Sequence, residues 1–138
     1  MKNFKIFLII FLIIISCNYN NKNNSISKIK DRAGNDIIIP KKIEKIICLS
    51  PSITEILIEI EEEDKIISVD SYSKEILEKN NISTSNMQIF DMMNPDVEKI
   101  VSLKPDIIFV NTFSVFSAKN SVDAIKNLGL SVAVIPNS

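Results

Sequence analysis

Histidine and tryptophan are absent from the 138 residues, and glycine and cysteine occur twice each. Each shortage excludes a class of function. Without histidine the chain lacks the usual general base at neutral pH, any Ser-His-Asp arrangement and the commonest transition-metal ligand. Hydrolase and zinc-site chemistry are set aside on that ground. Two glycines, Gly34 and Gly129, cannot build a glycine-rich phosphate loop of either nucleotide fingerprint. Sixteen cationic against 17 acidic side chains leave a formal charge of −1, with no basic run beyond the amino terminus. Such a chain has no surface that tracks phosphates, so nucleic acid is not expected as a partner.

What remains is an ordinary globular balance, 46% hydrophobic and 24% charged residues, with length for one domain. The first stretch stands apart. "MKNFKIFLIIFLIIISC" places Lys2 and Lys5 before an apolar run from Ile6 to Ile15 and closes on Ser16 and Cys17. That is the layout of an export signal, and an apolar helix of this length reaches only about half of a ~30 Å hydrocarbon layer. "IISC" resembles a bacterial lipobox, which makes Cys17 the lipidated first residue after cleavage. The polar run "NYNNKNNSIS" that follows is too hydrophilic to bury and suits a flexible tether. The expected division is therefore a signal peptide over 1–16, a tether over 17–28 and a folded part over 29–138. With Cys17 lipidated, Cys48 in "KIICL" has no partner and is read as a buried free thiol.

Two short strands, Ile26 to Lys30 and Asp36 to Ile39, flank an Ala-Gly-Asn turn and predict a hairpin. Beyond Pro40 short apolar runs alternate with helical stretches, the signature of a mostly parallel sheet with crossover helices. The expected strands are Ile46–Leu49, Ile66–Val69, Ile107–Val110 and Val132–Ile135. Three covering helices are expected. The first opens at Ser52 with a Ser52/Glu55 capping box and runs through Glu61. The second takes Asn94 as its cap and Pro95 as its first residue, with Val97, Ile100 and Val101 on one face and Glu98 on the other. The third spans about Lys119 to Leu128 and stops at Gly129. The acidic run "IEIEEEDK", residues 58–65, reads as a solvated turn, and the long connection from Asp70 to Met93 carries one helical segment, "SKEILEK".

In open parallel sheets the crevice lies beyond the carboxyl ends of the strands. Those ends read "SPS" (50–52), "DSYS" (70–73), "NTFS" (111–114) and "PNS" (136–138), all small and polar, two with an aromatic ring. No nucleophile–base pair and no metal cluster stands among them, so the pattern suits binding, with no catalytic residue, metal or cofactor expected.

"DRAGNDIIIPKKIEKIICLSPSITEIL", "DKIISVDSYS", "NPDVEKIVSLKPDIIF" and "IKNLGLSVAVI" resemble, in order and spacing, the amino-terminal lobe of class III (TroA-like) solute-binding proteins of ABC importers. Those proteins carry iron-siderophore complexes, haem and cobalamin. The resemblance implies an α/β lobe with a small, mostly parallel sheet flanked by helices and preceded by a short β-hairpin. It implies a lipid-anchored protein facing the periplasm or cell exterior, with permease and ATPase subunits as partners and a metal chelate or tetrapyrrole as solute. It also implies a second lobe of similar size, so this chain is expected to hold the first lobe alone. Glu98 in "PDVEK" matches the carboxylate that pairs with permease arginines. Tyr72 matches a cleft aromatic, while two cleft tryptophans of cobalamin binders fall near Met92 and Asn111; their absence favours an iron chelate or haem. Pro51, Ser52, Tyr72, Met92, Asn111 and Phe113 are the expected ligand contacts. The alternative is a surface lipoprotein or residual fragment that binds no solute and serves an interaction role.

Overall fold

The computed structural model describes residues 27–32 and 34–136. The proposed signal peptide, Cys17 and nearly all of the tether lie outside the described residues, as do Ala33, Asn137 and Ser138. Strands β1 (Ser27–Lys30) and β2 (Asp36–Ile39) pair antiparallel as the expected hairpin. The main sheet contains β3 (Ile46–Leu49), β4 (Ile66–Asp70), β5 (Gln88–Phe90), β6 (Ile107–Asn111) and β7 (Val132–Ile135). Its order is β5-β4-β3-β6-β7, and every pair is parallel.

Strand periodicity builds the two cores. Successive side chains of a strand point to opposite faces. Ile46 and Cys48 therefore join one apolar cluster and Ile47 and Leu49 the other, and Ile107 parts from Ile108 and Val110 in the same way. All four residues of β3 are buried, as a central strand covered on both faces requires. A register shift between Ile46 and Ile47 against β4 coincides with Ile66 and Val69, three residues apart, sharing one cluster.

Helices α1 (Pro51–Glu59) and α2 (Ser71–Lys79) cover the first cluster through Ile53, Leu57 and Leu77. On the opposite face α3 (Val97–Leu103) and α5 (Lys119–Asn127) contribute Ile100, Val122 and Ile125. A short helix α4 (Thr112–Ser117) lies between β6 and α5. The chain grows outward from β3 through β4 to β5, then returns to the other side of β3 through β6 to β7. That reversal puts a topological switch point between β3 and β6.

Several local expectations are corrected. The Ser52/Glu55 capping box does not form: Ser50 is the N-cap without a side-chain bond, and Pro51 takes the first turn, where its missing N–H is harmless. Helix α1 ends at Glu59, two residues early, because Glu61 adopts a left-handed φ of 58°. Helix α3 is capped by Asp96 in place of Asn94; the Asp96 carboxylate accepts from Lys99 N at 3.1 Å, and Pro95 is buried ahead of the helix. Val101 is 38% exposed and does not join Ile100 in the core. Among the described residues five α-helices stand: the three expected to cover the sheet, α2 over the helical segment expected in the long connection, and the unexpected α4; that connection also holds the edge strand β5.

Candidate functional site

The carboxyl ends of the parallel strands all open on one edge, and two helix starts there, those of α2 and α4, are built from the residue that ends a strand. Asp70, fully buried, closes β4 and caps α2: its Oδ1 accepts from Tyr72 N at 2.8 Å and Ser73 N at 3.0 Å, and its Oδ2 from the Ser73 hydroxyl at 2.6 Å. Asn111 closes β6 and caps α4 in the same manner, its Oδ1 accepting from Ser114 N at 2.7 Å and from the Ser114 hydroxyl at 3.0 Å. Both ends spell one pattern: Asp/Asn, then Ser/Thr, an aromatic residue and Ser. The acceptor and the last serine are buried, and the aromatic ring between them faces out, Tyr72 at 60% and Phe113 at 48% exposure. A cap whose partner is the i+3 backbone leaves the i+2 side chain on the outer side of the first turn. Two rings are thereby presented by β4 and β6, the neighbours of β3 on either side. At ~4.8 Å per strand, the strand ends that carry them are about 10 Å apart.

Between them lies the end of β3. Thr54 Oγ1 donates to Ser50 O at 3.2 Å, which secures the first turn of α1 from inside. Pro51 is half-buried and Ser52 exposed, its hydroxyl 3.3 Å from that of Ser50. Met92, half-buried after β5, brings its Sδ to 3.9 Å from Asn111 Nδ2. The structure thus gathers Pro51, Ser52, Tyr72, Met92, Asn111 and Phe113 on the carboxyl edge, but in two roles. Asn111 is 9% exposed, with its carboxamide oxygen spent on α4; the other five carry accessible surface.

Glu98 is exposed in the first turn of α3, which carries the chain from the end of β5 toward the start of β6. Its backbone position is therefore at the same end of the molecule as the rim. Sequence reasoning missed Asp70, Ser73 and Ser114, the buried parts that aim the two rings. Their signal was the duplicated Asp/Asn-to-Ser spacing directly after a strand.

Cys48 lies beneath the rim. Burial pushes its thiol up to about 12; hydrogen bonds involving Thr54 and Ser50 offset part of this, and the Asp70 charge adds to it. Among the described residues no group of three or more His, Cys, Asp or Glu side chains could hold a metal ion. Away from the rim, a cavity of about 240 Å³ lies between the hairpin and the end of α5, lined by Ile37, Lys126 and Leu130 among others.

A doubly wound parallel lobe with a polar, ring-bearing carboxyl edge is the architecture of one lobe of a solute-binding protein. The chain belongs to the periplasmic binding protein family, whose model matches residues 46–134. This is a family of substrate-binding proteins of ABC transporters, not of enzymes. An ABC transporter substrate-binding lipoprotein of Bacillus subtilis (strain 168), YvrC, is 31% identical over 110 residues, covering 78% of this chain and 32% of that protein. A "possible" iron-binding (periplasmic solute-binding) protein from Staphylococcus epidermidis superposes with a TM-score of 0.61 at 27% identity, over 71% of this chain and 36% of the other. The molybdate periplasmic binding protein MolA of Haemophilus influenzae shares the fold, with a TM-score of 0.66 at 23% identity over 80% of this chain and 34% of its own. The chain spans about a third of the length of these relatives.

Proposed function

We propose that the carboxyl edge is one wall of a solute-binding site, and that the chain acts as the binding lipoprotein of an ABC importer. The solute is a metal chelate or tetrapyrrole: an iron chelate, haem or a cobalamin-like molecule. The observation that carries this reading is the paired presentation of Tyr72 and Phe113 by two caps of the same spacing, one Asp and one Asn, on either side of β3. These caps fix the backbone that carries each ring, so less of the chain has to be ordered when a ligand arrives, which favours a binding wall. Pro51, Ser52 and Met92 complete the contact surface, while Asn111 holds Phe113 in place. The mechanism is capture and release without covalent chemistry.

Permease and ATPase subunits are the partners, and Glu98 is the docking carboxylate offered to cationic groups of the permease. Cys17 carries the lipid that keeps the protein at the outer face of the cell membrane, a reading supported by the lipoprotein relative. Calorimetric titration of the full chain with ferric chelates, haem and cobalamin tests the proposal. Saturable heat with one of them is expected, weakened about tenfold or more by Tyr72→Ala or Phe113→Ala, since an aromatic contact contributes ~1 kcal/mol beyond its buried area. Heat from none of the three would defeat it.

A further inference from the structure

We infer that the solute face gripped by this edge bears no net negative charge, so that a neutral or cationic chelate is selected over an anionic one. The inference rests on the solute-binding reading and adds the charge class to it. The described residues at the carboxyl ends of the five parallel strands, 50–53, 70–73, 91–94, 111–114 and Pro136, contain no lysine or arginine. They contain two carboxylates, Asp70 and Asp91. The lysines that follow three of these segments each have a carboxylate partner: Lys74 pairs with Glu78 at 3.6 Å, Lys99 with Asp96 at 3.4 Å, and Lys119 with Asp123.

Four of the backbone donors on this edge are already spent on its own side chains. The N–H groups of Tyr72 and Ser73 are taken by Asp70, that of Ser114 by Asn111 and that of Met93 by the Asp91 carboxylate at 2.8 Å. Pro51 has no N–H to give. The faces of Tyr72 and Phe113, by contrast, are electron-rich and favour positive charge laid over them. An anionic chelate would meet the exposed Asp91 carboxylate and two ring faces, with the buried Asp70 behind them and no lysine or arginine from these segments.

A matched pair of iron complexes separates charge from size. Three hydroxamate monoanions neutralise ferric iron, whereas three catecholate dianions leave the complex a trianion. Both are titrated against the full chain in detergent, at low salt, where charges act over ~30 Å, and at physiological salt, where the range is ~8 Å. The neutral trihydroxamate is expected to bind at least tenfold more tightly at low salt, with the gap narrowing as salt rises. Asp91→Asn keeps an acceptor for Met93 N while removing one charge, and should narrow the gap several-fold. Ser71→Lys, at an exposed position on the same edge, should do so independently by adding a cation. Equal or tighter binding of the trianion, or a gap that neither variant moves, overturns the charge inference and leaves solute binding standing. Absence of binding by either complex, with haem and cobalamin also silent, removes the binding reading itself and the inference with it.

Discussion

Cys48 and Asp96 show burial and hydrogen bonding moving acidic groups in opposite directions. Burial raises the Cys48 thiol from 9.0 to about 12 in the folded chain. An unfolded chain therefore ionises this thiol first, and folding loses stability as pH climbs from 9.0 toward about 12, by up to ~1.4 kcal/mol per pH unit. Thermal melts across that range should show the slope, and Cys48→Ala should flatten it while lowering stability overall through lost packing. At pH 8 the thiol should resist iodoacetamide until denaturant opens the core, measurable on the peptide that carries it. Asp96 goes the other way. The backbone N–H of Lys99, with smaller help from the Lys99 ammonium, holds its carboxyl below the ordinary carboxylate value. Its contribution is present above the unfolded pKa and lost as pH falls through the lower, folded one. Asp96→Ala should lower the urea midpoint at pH 7, and Asp96→Asn should lower it much less, since the amide oxygen can still cap α3.

Helices α1, α2 and α5 all end in the same pair of bonds, and only one of them uses the residue best suited to it. The closing bonds run from Glu62 N to Leu57 O (2.8 Å), Ile82 N to Leu77 O (2.9 Å) and Leu130 N to Ile125 O (3.4 Å). Glu61, Asn81 and Gly129 occupy the left-handed position, with φ of 58°, 61° and 80°. Glycine is at ease there and a glutamate is not, so Glu61→Gly should stabilise the fold by ~0.5–1 kcal/mol in thermal melts. Gly129→Ala should cost a similar amount through the backbone alone, because an added Cβ meets no atom within 4 Å. The same comparison explains what could be read in advance. Gly129 marks its helix end in the sequence, whereas no glycine or asparagine marks the turn at Glu61 where α1 stops short of its expected length. Strands β3, β6 and β7 were legible because unbroken apolar runs suit both-face burial. Strand β5 was not: Gln88-Ile89-Phe90 is three residues at an edge, with Gln88 exposed and only Phe90 fully buried. Helix α4, six residues long, depends on the Asn111 cap rather than on any apolar period.

Across the whole molecule the rim is legible in the sequence because strand ends in a parallel sheet must converge on one edge, and four short segments mark it. How its parts divide between holding and touching is not. That depends on whether a polar side chain at a strand end turns inward, and Asp70 and Tyr72, two residues apart, turn opposite ways. Exchanging Asn111 for Asp should preserve α4 and leave the melting temperature within a few degrees, because the equivalent site on β4 already uses that carboxylate. Asn111→Ala should cost ~1–2 kcal/mol in urea melts and loosen Phe113. At the opposite side, the Asp31 carboxylate accepts from Val134 N at 3.1 Å, and the Ser131 hydroxyl donates to Ile38 O. These bonds fasten the first hairpin to the outermost strand, β7, and occupy backbone groups through which another chain could add itself to that margin. They join positions about a hundred residues apart in the chain, so during synthesis the hairpin leaves the ribosome early and has no seat until β7 arrives. Final closure of the lobe is thus a late event in its making, and a nascent chain halted before Val134 should remain open to protease at the hairpin.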